Sequence, residues 1–423
     1  MNLKNKSSYA FFLGTMSGHL IEWYDYGIFG FLAVYMAKEF FSNQPPIIGL
    51  MSSFLLFSIS FVFRPLGGIF FGPLADKIGR KKILVTVIAL MSVSTFLPGI
   101  LPGSNHIGII APIILVLTRC IQGFSAGGEI GTITSYVAEK SPKNRLGRST
   151  SWLMVTAVLG LMIGAGVVNL LTEFLGEKIM SDWGWRIPFL LSLPTGLVSI
   201  YIRNRFEENT THLREAQILS RPPLREVFLW KRSLIFIALI TPLNASLFYL
   251  VMIYSPTWLS QFLKVNHSVT FHYTMFSYLI AIAGMLTGAV ITDRIGRRFF
   301  LIFVSIFSMI NIAMFFSPYV MTHIKFLLIS LLSLSLLFGL YTSSLYALMS
   351  ELLPTHVRAT GLALAYNIPV AIFGGSTPLI ATWLVKVTGN MSAPGVFFVF
   401  TGIISTVGLC FIRRRDYIGI DTI

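Results

Sequence analysis

Asp76-Lys77-Ile78-Gly79-Arg80-Lys81 and Asp293-Arg294-Ile295-Gly296-Arg297-Arg298 are one short polar loop written twice, 217 residues apart in a chain of 423. Each copy is bracketed by apolar runs, near 47–72 and 83–101 for the first and near 270–292 and 299–320 for the second. A fainter echo pairs Glu139, Pro142, Arg145 and Gly147 with Glu351, Pro354, Arg358 and Gly361. Runs of about 20 apolar residues match the thickness of a bilayer's hydrocarbon core. A repeat at half the chain length, in one orientation, predicts two like units about an axis along the membrane normal, with a solute path between them.

Working outward from these loops, apolar windows predict further spans near 10–36, 108–136, 149–172 and 186–202, then 233–262, 325–350, 359–385 and 394–412. The fold class expected is therefore all-α, with twelve transmembrane helices in two six-helix bundles related by a pseudo-two-fold axis. The stretch 203–232, with seven Lys/Arg and four Glu, reads as a linker with short surface helices. It separates an N-terminal bundle (1–202) from a C-terminal bundle (233–423).

Composition agrees. Only 12% of residues are charged and 54% are hydrophobic, with 36 Phe, whereas a soluble domain carries roughly 25% charged residues. The net charge of +15 does not point to nucleic acid, because the basic residues fall in short clusters between apolar runs. With the N-terminus inside, 24 of the 32 Lys/Arg lie on the cytoplasmic side. Six lie outside (Lys38, Lys178, Arg186, Lys264, Lys325, Lys386) and two, Arg64 and Arg119, within spans. This bias places both termini in the cytoplasm. The first apolar run is too long for a signal-peptide core and carries Glu22 and Asp25, so it reads as a retained span. Cys120 and Cys410, each in an apolar run, suggest neither a disulfide framework nor a metal site.

The loop Gly72-Pro-Leu-Ala-Asp76-Lys-Ile-Gly79-Arg80-Lys81-Lys82 resembles the cytoplasmic signature of the major facilitator superfamily. Four further stretches are similar to its metabolite:proton symporter family: Glu22-Trp23-Tyr24-Asp25, Arg64-Pro65-Leu66-Gly67-Gly68, Gln122-Gly123-Phe124-Ser125-Ala126-Gly127-Gly128-Glu129, and Asp182-Trp-Gly-Trp-Arg186-Ile-Pro-Phe189. That resemblance implies a proton-coupled carrier of the proline/betaine, 2-oxoglutarate, citrate or shikimate kind, in a bacterial inner membrane. The P-E-S-P-R element of sugar porters is not found after span six, nor the G-P pair of drug antiporters in span five. The chain ends eleven residues after Ile412, so the coiled-coil tail of osmosensing relatives is not expected.

Glu22, Asp25, Arg64, Arg119 and Glu129 lie within apolar spans. A central charge costs about 2.5–3.5 kcal/mol, so the five must be paired, protonated or water-facing. Arg64 lies about 18 Å from the cytoplasmic end of its helix and Glu22 about 20 Å from its own. Arg119, Gln122 and Glu129 fall within about 80° on an uninterrupted helix. A shared wet chamber is therefore expected, with buried ion pairs that merely fix helix register as the bland alternative. Glu22, Asp25 and Glu129 are the candidate proton carriers, with Arg119 as switchable partner and His19 as a relay. His19 reads more readily as a hydrogen-bonded buried histidine. Arg64 or Arg119 could grip a solute carboxylate in bidentate fashion.

Gln122, Tyr26, Asn244, Tyr249 and Asn367 are the neutral solute contacts expected, with Tyr254 and Trp258 nearby on span seven. Aromatic faces can hold a quaternary ammonium, although Tyr and Trp also mark membrane interfaces. Gly72, Asp76, Gly79 and Arg80, with Asp293, Gly296 and Arg297, are expected to gate. Arg358 is a candidate partner for Asp76, and the resemblance implies that this loop stabilises the state closed to the cytoplasm. Gly123, Gly127 and Gly131 on span four, and Gly160 and Gly164 on span five, read as close-packing rows.

The expected function is proton-coupled symport of a small carboxylate-bearing solute, of proline/betaine type first and di- or tricarboxylate type second. A facilitator would lack buried carboxylates, and a sensor would carry a signalling domain. An enzyme would show a nucleophile–base pair or metal cluster. The expected partners are the solute, protons and the lipid bilayer, with no cofactor or metal, in a monomer.

Overall fold

A computed structural model describes residues 3–41, 44–78, 80–142, 145–204 and 223–418. Among these, twelve helical spans follow one another. The first six are Leu3–Phe31, Pro46–Ile78, Arg80–Ile100, Ile110–Ala126 continued by Glu129–Lys140, Leu146–Ile179, and Arg186–Leu190 continued by Ser192–Asn204. The last six are Lys231–Tyr249 continued to Phe262, His267–Ile295, Arg297–Phe315, Ile324–Glu351, Thr355–Val370 continued to Thr388, and Pro394–Phe411. They are called spans 1 to 12. Ten helical stretches are long and apolar enough to cross a membrane and Arg186–Tyr201 is a shorter apolar one. The protein is multi-pass, and its spans form two six-helix bundles.

Helix ends depart from the hydropathy windows for physical reasons. Span 2 runs on to Ile78, past the end of its apolar window. Span 1 stops at Phe31 and restarts as Ala33–Phe40, a break that no change in polarity announces. Span 4 is interrupted at Gly127-Gly128, so Glu129 opens a new segment. Both glycines keep right-handed helical dihedrals, so the chain continues in one direction across this turn. Spans 7 and 11 contain π-turns at Leu250–Tyr254, Trp258–Phe262 and Ala371–Gly375.

Of the expected linker, Pro223–Val227 forms a short helix and Phe228–Trp230 a 3-10 turn; 205–222 lie outside the described residues. Asn204 and Pro223 mark the linker face of the molecule, and the opposite side is called here the far face. The halves meet along a seam of spans 1, 2, 4 and 5 against spans 7, 8, 10 and 11. At Gly131 a Cβ would lie 2.4 Å from the Ala359 carbonyl oxygen across that seam, so backbone there packs on backbone.

Candidate functional site

The five ionisable groups expected at depth are all buried, none more than 7% exposed, so none points into lipid. Four of them fall into two neighbouring groups, with Tyr26 within the fields of both. Glu22 and Asp25 stand three residues apart on span 1, about 60° around the helix, and each anchors its own pocket.

In the first pocket, Arg64 of span 2 places Nη2 3.5 Å from Glu22 Oε1 and donates from Nε to the Tyr26 hydroxyl at 3.4 Å. Its guanidinium lies 4.6 Å from the ring centroids of Tyr26 and Phe61 and 5.8 Å from that of Trp23. The second half closes this cage. Phe248 meets Trp23 at 4.9 Å and Tyr249 meets Phe61 at 5.2 Å. Tyr366 shares a 2.6 Å hydroxyl contact with Tyr346 and lies within the field of Arg64 and Glu22. The Tyr249 hydroxyl is buried with no hydrogen-bond partner among the described residues. Arg64, Glu22 and a ring of aromatics from both halves thus share one site.

The second pocket belongs to the first half alone. Arg119 Nη1 donates to Gln122 Oε1, and Gln122 Nε2 donates to Thr95 at 2.8 Å. The guanidinium sits 3.5 Å from the Phe29 centroid, where a desolvated cation–π contact is worth about 2 kcal/mol. Asp25 shares this pocket with Thr95 and the Arg119 charge. Arg119 Nε and Nη2 and Asp25 Oδ1 make no hydrogen bond among the described residues. Tyr26 lies between the pockets, within the fields of Arg64, Glu22 and Arg119. One phenol stands between the Arg64–Glu22 pair and the Arg119 charge.

His19 is engaged at both ring nitrogens. Nε2 accepts from Trp23 Nε1 at 3.0 Å and Nδ1 lies 3.2 Å from Thr156 Oγ1. Since an indole nitrogen only donates, Nε2 carries no proton. His19 thereby fixes Trp23, one wall of the cage. Asn244 accepts from Thr342 at 2.6 Å within the second half. Asn367 donates to the Gly127 carbonyl at 3.0 Å across the seam, and so clasps the break in span 4 rather than the Arg64 cage.

Among the described residues, contacts between the halves bridge the seam toward both faces. Toward the far face, a Cβ on Gly30 would lie 2.7 Å from Ile253, Phe54 meets Tyr254 at 6.1 Å, and Ser58 donates to the Gly375 carbonyl at 2.9 Å. On the linker face, Asp293 of span 8 accepts from the backbone amides of Gly147 at 2.9 Å and Arg148 at 3.2 Å. These open span 5, where unpaired amides and the helix dipole favour an anion. Arg297 bridges Asp293 at 3.4 Å and Glu351 at 2.9 Å. Gly296, at φ +91, makes the turn that a side chain would strain. Arg358 is fully buried and donates to the Leu353 carbonyl at 3.3 Å. Gly79 lies outside the described residues, as do the surroundings of Gly72, Asp76 and Arg80, so the first copy of the loop and its pairing with Arg358 rest on sequence alone.

Two bundles of six spans enclosing an occluded polar centre match known proteins at every level. A profile of the Major Facilitator Superfamily matches residues 15–373. The chain belongs to the major facilitator superfamily. Its relatives include proline/betaine transporters and citrate-proton symporters. It is 35% identical over 413 residues to a glycine betaine/proline/ectoine/pipecolic acid transporter of Dickeya dadantii, covering 93% of this chain and 80% of that protein. It is 34% identical to the proline/betaine transporter of Escherichia coli (93% and 80% covered) and 31% identical to the citrate-proton symporter of Klebsiella pneumoniae (97% and 93%). Among solved structures, the proton:xylose symporter XylE bound to a bromodeoxyglucose superposes with a TM-score of 0.77 at 15% identity, covering 96% of this chain and 95% of that one. That likeness shows the fold. This facilitator is thus a membrane transporter rather than an enzyme.

Sequence reading missed several cage residues. Phe29, Phe61, Thr95, Phe248 and Tyr366 are ordinary in apolar spans, and only the charges they surround mark them. Trp23 stood inside a quoted motif, adjacent to Glu22, which was its one available signal.

Proposed function

We propose that this facilitator is a proton-coupled symporter that brings a small carboxylate-bearing solute of the proline/betaine type into the cytoplasm by alternating access. The halves that rock would be 1–202 and 233–423, joined by 203–232, with both termini cytoplasmic and the linker face inside, in a monomer. The observation that carries the reading is Arg64, set with Glu22 in an aromatic cage completed by Phe248 and Tyr249 of the other half.

The chemistry follows from that cage. A solute carboxylate competes with Glu22 for the guanidinium, since a charge-assisted bidentate contact outranks a 3.5 Å ion pair. Drawing Arg64 toward the carboxylate frees the faces of Trp23, Tyr26 and Phe61, which already hold one cation, for the ammonium group of a zwitterion. Released Glu22 gains a reason to take a proton, and the Asp25–Arg119 pocket behind Tyr26 offers a second carrier. Glu129, buried where span 4 restarts, is the third, with His19 as the remaining relay candidate. Transfer of each proton down the membrane potential supplies about 2.3 kcal/mol per 100 mV.

Among the described residues, Arg64 alone supplies a guanidinium to the cage, which favours one carboxylate. Arg119 is turned toward Gln122 and Phe29 of the first half, so the di- or tricarboxylate alternative lacks a second cation in the cage. The deciding experiment is uptake into proteoliposomes of proline, glycine betaine, 2-oxoglutarate and citrate, with and without an imposed pH gradient. Gradient-driven accumulation of proline or glycine betaine is expected. Accumulation of citrate alone would transfer the reading to the alternative, and accumulation of none would end it. Glu129→Gln should slow gradient-driven uptake more than solute exchange at equal pH.

A further inference from the structure

The far face holds two grooves beside the closed seam. The larger, about 550 Å³, is walled by the end of span 1 and the start of span 2 on one side and the end of span 7 on the other. Its lining includes Lys38, Gln44, Gln261 and Lys264, and no acidic side chain. The smaller, about 300 Å³, shares Lys38 and Gln261 but is lined as well by Glu177 and His267. The larger groove therefore joins the two halves through cationic and amide groups alone.

Lys38 and Lys264 differ from the other far-face cation whose contacts are plain. Arg186 is consumed by Glu39 at 2.8 Å and by the Leu101 carbonyl. Lys38 and Lys264 are exposed and make no ion pair among the described residues. One comes from each half, and Gln44 and Gln261 add donors between them.

The backbone at Lys264 is a second, independent observation. It is the one non-glycine residue with positive φ among the described residues, at +55. Glycine or asparagine takes that conformation at lower cost. A lysine there keeps a long cationic side chain where the chain conformation argues for none, and such outliers gather where a side chain is used.

We propose that this groove is an outer docking site for the carboxylate of the incoming solute, held by Lys38 and Lys264 with Gln44 and Gln261 before the seam opens. The proposal rests on the symport reading above and assigns that reading an earlier station. The carboxylate waits between two ammonium groups at the surface, then passes to Arg64 once Ile253 leaves Gly30. Because docking precedes the rate-setting rearrangement, its loss weakens capture without slowing turnover. Exposed charges act over about a Debye length, near 8 Å at physiological salt, so the effect fades as salt rises.

The test is initial-rate uptake of whichever of proline, glycine betaine or citrate the wild-type protein accumulates, in proteoliposomes of neutral lipid and of mixed anionic lipid. Lys264→Gly removes the cation and relaxes the backbone, so it keeps the fold; Lys38→Gln removes the other. Each is expected to raise KM three- to tenfold at low salt with kcat within twofold, the double variant more, and high salt to shrink the difference. Unchanged KM in the double variant overturns the docking site while leaving symport standing. A KM effect seen only with anionic lipid also overturns it, since the lysines would then be holding headgroup phosphate. No uptake by the wild-type protein removes the symport reading and the docking site together.

Discussion

The Tyr249 hydroxyl is buried without a hydrogen-bond partner among the described residues, beside the Arg64 cage. An unpaired buried hydroxyl costs about 1–3 kcal/mol. Tyr249→Phe should therefore raise thermal stability in detergent by a few degrees while weakening solute binding; a loss of stability would show that the hydroxyl is satisfied in the resting protein. Arg64→Lys keeps the charge but not the planar fork, and is expected to raise the KM for a carboxylate solute at least tenfold with the fold retained. An unchanged KM would take Arg64 out of the solute site. The charged members of these pockets were legible in the sequence because a charge inside an apolar run is costly and stands out. Their division into two pockets was not, because spacing along a helix gives the face of a side chain but not what Tyr26 and Phe29 interpose.

Spans are held at distances that glycine sets. A Cβ at Gly123 would lie 1.6 Å from the Ser60 carbonyl oxygen, and one at Gly127 would lie 1.9 Å from that of Arg64. Span 4 therefore packs backbone-to-backbone on span 2, which fixes the depth of Arg64. Gly166 of span 5 has nothing within 4 Å. Gly123→Ala should abolish transport and lower the yield of folded protein, while Gly166→Ala should leave both within about twofold; equal behaviour of the two variants would sink this account. The close-packing rows were readable as a four-residue repeat. The breaks at Leu32 and Gly127-Gly128 and the π-turns of spans 7 and 11 were not, because they alter register without altering hydropathy.

On the scale of the molecule, among the described residues of the linker face the Asp293 carboxylate reaches the start of a helix in the opposite half. Asp293→Asn keeps the shape and removes the charge, which near a helix N-terminus is worth about 0.3–2 kcal/mol. It should shift the resting population toward the state open at the linker face. Cysteine labelling at the seam from that side should quicken, and uptake should lose rate more than affinity. Labelling at the wild-type rate would show that Asp293 is no latch. The duplicated loop made the two-fold arrangement legible, since a repeat at half the chain length has few other readings. The partners of Asp293 were hidden, because backbone amides leave no trace in a sequence.

Gly147 gives that fastening a further meaning. A methyl group placed on it would sit 2.8 Å from Asp293 Oδ1, inside the space the carboxylate now fills. The smallest possible side-chain change at 147 would thus act as a wedge against the Asp293 carboxylate, propping the two bundles apart without touching the Arg64 cage or the Asp25–Arg119 pocket. The posture in which this transporter waits is set as much by an atom that is missing as by any that is present.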